Sequence, residues 1–329
     1  MADENGPAPI PLGRGRAIRF YCEDALPGLP RRLGKGSVDV VVTSPPYNLG
    51  IRYRSYPDRR PRAEYLAWIG ALASSVETVL SPAGSFFLNV GGTPKDPWLP
   101  WDVAREVGRT FVLQNVIHWV KSIAIDRRAA GRSAGLTSDL ALGHYKPVVS
   151  DRYLHGAQEY IFHFSRSGAV PLDRLAIGVP YQDKSNVTRW GGAAQDRRCR
   201  GNTWFLPYPT IRERARDRPH PATFPPELPE WCVRLHGVDR TRRLVDPFVG
   251  IGSSAVAAVR LGIDFVGFDL DPEYLRRAAA RAEEELARAG DRVPAPGDRP
   301  AALRPPSSGG SRRRSPRSSG RSTLESASA

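Results

Sequence analysis

The residues best suited to chemistry form a short run, Ser44-Pro45-Pro46-Tyr47, directly after the valine-rich segment 38–42. That segment predicts a strand buried on both faces of a sheet. The two prolines fix φ and lack N–H donors, so the chain leaves the strand in a rigid extended turn. The turn carries a hydroxyl, backbone carbonyls and an aromatic ring at the carboxyl end of a strand, where open α/β sheets bind ligands. A bare Pro-Pro-Tyr could equally be a turn that closes a strand, but the set of four is more specific.

A second run, residues 244–255, joins a predicted strand to a predicted helix through a glycine turn of the form GxGxxA. Asp269 follows Gly250 by 19 positions, where dinucleotide-binding folds place the acid that binds a ribose. Glycines let the backbone approach a nucleotide closely, so this run alone fits an NAD enzyme almost as well as other nucleotide-cofactor enzymes. Its candidate residues are Asp246, Pro247, Phe248, Gly250, Gly252 and Ser253.

Strands and helices alternate around these two runs. Apolar residues spaced three and four apart predict helices over 63–80, 98–108, 225–236 and up to 289. Apolar runs predict strands at 17–21, 84–90, 112–120, 158–164 and 264–268. This alternation predicts an α/β fold with a doubly wound, mostly parallel sheet and helices on both faces. Asp24 falls just past the first of these strands, where it could face a ligand or cap a helix.

Composition favours a polyanionic partner and a reducing compartment. The 329 residues carry a formal net charge of +14 with a pI near 10.2. Eight arginines against three acidic residues place +5 of this charge in residues 291–329, which leaves +9 for residues 1–290. Three widely separated cysteines argue against a disulfide framework or a zinc site, so we expect no bound metal and a cytoplasmic location. The sequence has no apolar run of 18 residues and no leader pattern, which argues against work in a membrane.

Three segments fall outside the alternating pattern. Residues 1–15 are rich in Pro, Gly and Ala and are expected to be a loose leader, and residues 290–329 are expected to be a disordered Arg/Ser/Pro tail. Residues 165–218 have little periodicity and interleave arginines with amides and aromatic rings. Such residues suit phosphate contacts, base-edge hydrogen bonds and stacking. The alternative is an irregular subdomain whose aromatic side chains form its own small core.

Together these features resemble the DNA amino-methyltransferases, which methylate the exocyclic nitrogen of cytosine or adenine. Asp-Pro-Phe leads into the glycine turn as it does in that family, and an NAD enzyme has no need of Ser-Pro-Pro-Tyr on a neighbouring strand. The order of the motifs, catalytic first and cofactor last, is the permuted order of the beta group. The resemblance divides the chain into a catalytic half (16–164), a target-recognition segment (165–218) and a cofactor-binding half (219–289).

The resemblance also assigns roles to residues. It makes Ser44, Pro45, Pro46 and Tyr47 the catalytic motif. It implies a Rossmann-like fold and S-adenosylmethionine as the cofactor, with Asp24 at its adenine end, Asp269 at its ribose and segment 220–224 at its methionine end. The full set assigned to the cofactor is Asp24, His220, Thr223, Phe224, Asp246, Pro247, Phe248, Gly250, Gly252, Ser253 and Asp269.

The implied reaction is direct in-line transfer of a methyl group to a base flipped out of duplex DNA. The Ser44 hydroxyl and the Pro45 carbonyl would accept hydrogen bonds from the amine, and Tyr47 would stack on the base. Serine in the first position of the motif is typical of the cytosine-N4 enzymes, with adenine-N6 as the alternative on the same scaffold. An RNA methyltransferase or a non-catalytic DNA-binding protein is a more remote alternative. Double-stranded DNA and a cognate restriction endonuclease are the expected partners, whereas the sequence does not give the oligomeric state.

Overall fold

A computed structural model describes residues 6–51, 53–131, 135–143, 150–189, 196–207 and 223–291 of the chain. The strands are β1 Ile10–Gly13, β2 Arg16–Cys22, β3 Val38–Thr43, β4 Leu80–Val90, β5 Val112–Val120, β6 Ser122–Ile125, β7 Leu140–Gly143, β8 Gln158–Ser165, β9 Thr203–Phe205, β10 Arg243–Asp246 and β11 Asp264–Asp269. The helices are α1 Ala25–Arg32, α2 Arg62–Val79, α3 Leu99–Val107, α4 Arg127–Ala130, α5 Ser185–Arg189, α6 Glu227–His236, α7 Ser253–Leu261 and α8 Pro272–Asp291.

The main sheet of the described residues has the order β1-β2-β11-β10-β3-β4-β8-β5-β9. Its centre, from β2 to β4, is parallel throughout. Strand β8 runs antiparallel to β4 and β5 on either side, and β1 runs antiparallel to β2 at the edge. The predicted mostly parallel α/β sheet is therefore confirmed, and β2, β11, β10 and β3 all direct their carboxyl ends to one edge.

Helices cover both faces of this sheet. One apolar core contains side chains of α1, α2 and α3, and the other contains side chains of α6, α7 and α8. Helix α2 shows the cause: Tyr65, Ile69, Leu72 and Val76 recur at helical spacing and are all buried against the sheet. Every residue of β3 is buried, as expected for a strand covered on both faces.

Two expectations about the irregular segments need correction. The loose leader is wrong for Ile10–Gly13, which forms β1 because Ile10 packs into the core and the positive-φ turn at 13–15 returns the chain as β2. Residues 203–205 of the expected recognition segment instead form β9, parallel to β5 at the sheet edge. The Trp204 side chain is fully buried there and packs against Trp231, so this aromatic belongs to the core. Residues 292–329, the expected tail, lie outside the described residues.

No helix among the described residues has both the length and the apolar character needed to cross a membrane.

Candidate active site

A cavity of about 280 Å³ opens at the carboxyl ends of β2, β3, β10 and β11. It brings together segments that are more than 200 residues apart in the sequence, because β3 and β10 are neighbours in the sheet. The predicted site residues in its wall are Asp24, Ser44, Pro45, Pro46, Tyr47, Thr223, Phe224, Pro247, Phe248, Gly250, Ser253 and Asp269. His220 lies outside the described residues.

Asp246 is not in the cavity wall but supports it from below. The carboxylate is fully buried and accepts hydrogen bonds from Thr43 Oγ1 at 2.7 Å, Ser254 Oγ at 2.6 Å and the Phe248 amide at 3.0 Å. Burial raises its pKa to about 6, although these hydrogen bonds act in the opposite direction. Asp246 therefore fixes the turn that carries the cofactor residues instead of touching the cavity.

Gly252 is also outside the wall, and packing explains why it is glycine. Its φ is +82°, and a Cβ at this position would lie 2.7 Å from the Cβ of Ala278 on α8. Gly252 is the N-cap of α7, so it lets α7 begin in close contact with α8. This packing requires glycine at position 252, and the predicted role of Gly252 at the cofactor stays a prediction.

The end of β11 holds the glycine turn through Asp269. Its Oδ2 accepts a hydrogen bond from the Gly250 amide at 2.9 Å, and its Oδ1 accepts one from the Asp271 amide at 2.9 Å. Burial raises the pKa of Asp269 to about 6. Because the residue also lines the cavity, its remaining lone pairs are available to a hydroxyl-bearing ligand.

Asp24 fulfils both alternatives left open by the sequence. Its Oδ1 accepts a hydrogen bond from the Leu26 amide at 2.9 Å and caps the start of α1. The same residue lines the cavity. The cap fixes the carboxylate at the rim, so the two readings do not compete.

The proline turn is held in place by side chains from other elements. Tyr65, buried in the first part of α2, donates a hydrogen bond of 2.9 Å to the Pro46 carbonyl. Ser44 Oγ lies 2.6 Å from Tyr47 Oη, which in turn donates to Glu159 at 3.0 Å. The hydroxyl of Tyr47 is therefore anchored at the back of the turn, and the residue lines the cavity.

The described residues of the loop after the turn, 48–51 and 53–60, cover one side of the cavity. Asp58 ties it into a compact shape by accepting hydrogen bonds from the amides of Asn48, Leu49 and Ile51, at 2.7 to 3.0 Å. Arg54 pairs with Asp271 at 3.2 Å. The sequence of this loop is polar and rich in arginine, which fits either a loop that closes over a site or solvated surface. Its Tyr53 and Tyr56 line the cavity.

Several residues at the site were not predicted. Trp68 and Tyr274 line the cavity, but their helical positions gave no signal beyond packing. Asn89, Lys121 and Glu159 form polar contacts behind the catalytic turn. Glu159, the one carboxylate of β8, is the sequence signal that could have drawn attention to this group.

The wall has the chemistry that an adenosyl cofactor requires. Aromatic rings of Tyr56, Trp68 and Phe248 offer apolar faces for a purine, with Trp68 and Phe248 ring centroids 5.4 Å apart. The Asp269 carboxylate suits ribose hydroxyls, and the glycine turn lets the backbone approach closely. Among the described residues there is no cluster of His, Cys, Asp or Glu that could hold a metal ion.

Comparison with known proteins decides the family. A family described as DNA methylase, covering N6 and N4 methyltransferases, matches residues 38–281, about three quarters of the chain. The chain belongs to this DNA methylase family. Its cofactor is S-adenosylmethionine, so the NAD alternative is excluded.

Relatives of this DNA methylase include the type II methyltransferase M.BglII of Bacillus subtilis, 27% identical over 256 residues. That match covers 73% of this chain and 62% of the relative, so the chain spans less than two thirds of that relative's length. M.HpaI of Haemophilus parainfluenzae is 24% identical, with 82% of this chain and 75% of the relative covered. Among solved structures, the PvuII DNA methyltransferase, described as cytosine-N4-specific, matches with a TM-score of 0.54 and 20% identity over 83% of this chain and 91% of that one. The match to the PvuII enzyme shows that the two chains share a fold.

Proposed function

We propose that this DNA methylase is a site-specific enzyme that transfers a methyl group from S-adenosylmethionine to the exocyclic N4 of cytosine in duplex DNA. The observation that carries the proposal is the shared cavity: the Ser44–Tyr47 turn and the Pro247–Ser253 turn line the same space. A methyl acceptor held by the first turn would therefore lie beside a cofactor held by the second. No intervening covalent step on the protein is needed.

The reaction requires an amine that attacks although its lone pair is conjugated with the ring. Ser44 Oγ and the Pro45 carbonyl are the proposed acceptors of its two N–H bonds, which pulls the nitrogen toward sp³ geometry and exposes the lone pair. Bound S-adenosylmethionine would supply an electrophilic methyl group on its sulfonium: the C–S bond breaks as the N–C bond forms, which leaves a neutral thioether, and the nitrogen loses one proton to water. The protein contributes alignment of the amine, which is the main source of rate in a displacement of this kind. Tyr47 contributes the ring on which the flipped base stacks.

Cofactor binding is assigned to the second turn and its neighbours. Asp269 is proposed to bind the ribose, Asp24 to lie toward the adenine end, and His220, Thr223 and Phe224 to enclose the methionine end. Of these, Thr223 and Phe224 line the cavity, on the side where the chain enters α6. Asp246 and Gly252 are proposed to act on the cofactor through the shape of the turn alone.

Cytosine is favoured over adenine by the first residue of the motif. Serine at position 44 is typical of the cytosine-N4 members, whereas adenine-N6 transfer on the same scaffold is the alternative. The base identity is the finer part of the proposal, and product analysis separates the two.

Duplex DNA as the partner is supported by charge. Residues 1–290 carry +9, and within the expected recognition segment Arg197 and Arg198 are exposed. Backbone contacts by such residues make affinity fall with salt. Trp204 is buried, so recognition of bases is assigned to other side chains of segment 165–218. A cytoplasmic restriction–modification system with a cognate endonuclease is the proposed setting.

The proposal is tested by incubating the protein with S-adenosylmethionine that carries a labelled methyl group, together with unmethylated duplex DNA or structured RNA. Label is expected in duplex DNA and not in RNA. The double variant Ser44→Ala/Tyr47→Ala should abolish transfer while binding the cofactor with nearly unchanged affinity. Label in RNA alone, or in neither acceptor although the cofactor binds, would contradict the proposal. Loss of cofactor binding in the double variant would mean that the turn is structural.

A further inference from the structure

A hydrogen-bonded chain leads from Ser44 away from the cavity to an ion pair. Ser44 Oγ lies 2.6 Å from Tyr47 Oη, which lies 3.0 Å from Glu159 Oε2. Asn89 Nδ2 donates to Tyr47 Oη and to Glu159 Oε2, both at 2.7 Å. Lys121 Nζ lies 2.9 Å from the other carboxylate oxygen, Glu159 Oε1. The partners come from β4, from β8 and from the residue after β5, and they meet only because these strands are neighbours in the sheet.

The direction of each hydrogen bond follows from the hydrogens available. An ionised carboxylate only accepts, so the single hydroxyl hydrogen of Tyr47 is donated to Glu159. Tyr47 Oη is then an acceptor toward Ser44, and the Ser44 hydroxyl donates its own hydrogen to Tyr47. Asn89 Nδ2 donates a long hydrogen bond of 3.4 Å to one lone pair of Ser44 Oγ, and the other lone pair is left for the cavity, which Ser44 lines.

The Asn89 amide supports the same direction. Asn89 is buried, and among the described residues its Oδ1 has no hydrogen-bond partner. A buried amide oxygen without a partner is unfavourable, yet the amide keeps its nitrogen toward Glu159. Turning the amide over would place Oδ1 against the carboxylate, where two acceptors repel. The charge of Glu159 therefore fixes the amide as a donor as well.

We infer that Glu159 is a positioning residue that makes Ser44 Oγ a fixed hydrogen-bond acceptor for the exocyclic amine of the target base. The inference rests on the proposed function, since it requires an amine as the group that approaches Ser44. An amine donates hydrogen bonds where a carbonyl accepts them. A fixed acceptor at Ser44 thus selects a base with an amine over one with a carbonyl at the same position.

Two neighbours are suited to this role of Glu159. The Lys121 ammonium holds Glu159 Oε1 at 2.9 Å, which leaves Oε2 to accept from Tyr47. Gly91 leaves room for the contact, because a Cβ there would lie 3.0 Å from both Glu159 Cδ and Tyr47 Cε2. Glu159 reaches Ser44 through Tyr47 and, by a longer contact, through Asn89, whose Nδ2 lies 3.4 Å from Ser44 Oγ. It therefore positions Ser44 and does not itself touch the substrate.

The first test measures binding. Duplexes that contain the recognition site carry at the target either the natural amine base or its carbonyl counterpart, uracil for cytosine or hypoxanthine for adenine. The ratio of the two dissociation constants is compared between wild type and Glu159→Gln, so that the effect of the mismatch on base flipping cancels. Glu159→Gln is expected to shift this ratio toward the carbonyl base by about tenfold, the size of one lost hydrogen bond and one gained. An unchanged ratio would overturn the inference.

The second test measures single-turnover methyl transfer with saturating S-adenosylmethionine and DNA. Glu159→Gln should slow transfer by about 10- to 100-fold while cofactor affinity stays within twofold of wild type. Because Glu159 acts mainly through Tyr47, adding Glu159→Gln to Tyr47→Phe should slow transfer much less than Glu159→Gln slows the wild type. Additive losses would contradict action through Tyr47. Glu106→Gln, which removes a carboxylate paired with Arg109 away from the cavity, is the matched control and should behave as wild type.

These outcomes are distinct from failure of the proposed function: a wild-type protein that methylates no DNA contradicts that function, whereas an active wild type matched by Glu159→Gln contradicts this inference alone.

Discussion

Thr43 Oγ1 donates a hydrogen bond of 2.7 Å to Asp246 Oδ1, and this bond joins the ends of β3 and β10 across 203 residues of sequence. The two strands are parallel neighbours in the sheet, with Val41 opposite Val245. Thr43 is followed directly by the proposed catalytic turn, and Asp246 is followed directly by the proposed cofactor turn. The bond therefore sets the spacing of the two turns that line the cavity.

Replacing Thr43 with valine removes this bond while keeping the branched shape of the side chain. We expect the free energy of unfolding to fall by about 1–3 kcal/mol, because a buried charged acceptor loses a partner. Cofactor affinity should fall as well, since the spacing of the turns is no longer fixed. Chemical denaturation and calorimetric titration with S-adenosylmethionine measure the two effects.

Thr78→Val is the matched control, because Thr78 Oγ1 bonds only to the Ser74 carbonyl of its own helix at an exposed position. It should alter stability by less than about 0.5 kcal/mol. Equal effects of the two substitutions would contradict the special position of Thr43.

Cofactor affinity is expected to depend on pH through Asp269. The pKa of this carboxyl is raised to about 6 by burial, so it is ionised at pH 7 and above and becomes protonated below about pH 6. A protonated carboxyl accepts more weakly from ribose hydroxyls and from the Gly250 amide. The dissociation constant for S-adenosylmethionine should be constant above pH 7 and should increase below pH 6.

Asp269→Asn isolates this effect. The variant should bind the cofactor about tenfold or more weakly at pH 8, in line with the loss of charge-assisted hydrogen bonds. Its affinity should change little between pH 5 and pH 8. A variant with the full pH dependence of wild type would assign that dependence to another group.

Gly252→Ala should destabilise the fold through both strain and contact. The substitution forces φ of +82° on alanine and places its Cβ 2.7 Å from Ala278 Cβ. We expect the free energy of unfolding to fall by about 3 kcal/mol or more, which is the cost of a left-handed backbone at alanine plus the cost of an overpacked contact. Thermal or urea unfolding gives the measurement.

Gly262→Ala provides the comparison, because Gly262 has φ of +63° but its added Cβ would meet nothing within 4 Å. Gly262→Ala should lower the free energy of unfolding only by the cost of the left-handed backbone, about 1–2 kcal/mol. Equal losses at both positions would show that contact between α7 and α8 is not what requires glycine at 252.

Stability should depend on pH through two buried histidines on either side of Ser85. His163 Nε2 and His236 Nδ1 each lie 2.9 Å from Ser85 Oγ, and burial lowers their pKa values to about 3 and about 4. Because an unfolded histidine has a pKa near 6.5, the unfolded chain binds more protons below that pH. The stabilising contribution of each neutral histidine is therefore complete above about pH 6.5 and is lost as the pH falls toward 4.

His236→Asn keeps a polar group near the position of Nδ1 and removes one titrating site. The difference in unfolding free energy between wild type and variant should shrink as the pH falls from 7 to 5. Asp246 has the opposite effect: because its pKa is raised, the fold loses stability as the pH rises through about 4 to 6. Both proteins contain Asp246, so this effect cancels when they are compared at the same pH. A difference independent of pH would show that His236 does not titrate as described.

The sequence predicted the elements that carry a strong local pattern. Helix α2 was expected over 63–80 and spans Arg62–Val79, because its apolar spacing is set by the face it buries. The two turns were found because the combination of their prolines, glycines and acidic residues is specific, although each run taken alone also fits another interpretation. Both turns face one cavity, as the carboxyl ends of neighbouring parallel strands must.

Contacts that depend on strand register could not be predicted. Glu159 approaches Asn89 because β8 inserts antiparallel between β4 and β5, with Ile161 opposite Asn89. Neither the order of the strands nor their register follows from the periodicity of each strand alone. Similarly, composition alone left open whether the aromatic residues of segment 165–218 stack on bases or pack in a core. Trp204 packs in the core, because its strand completes the sheet edge and buries it.

The most direct test of the proposed function is the identity of the product. The protein is incubated with S-adenosylmethionine and unmethylated bacterial DNA, the DNA is digested to nucleosides, and the masses are read. N4-methylcytosine is the expected result. N6-methyladenine would contradict the assignment of the base while leaving the family and the mechanism in place. The absence of any methylated base, from a protein shown to bind the cofactor and duplex DNA that contains its site, would contradict the proposal that this chain is an active DNA methyltransferase.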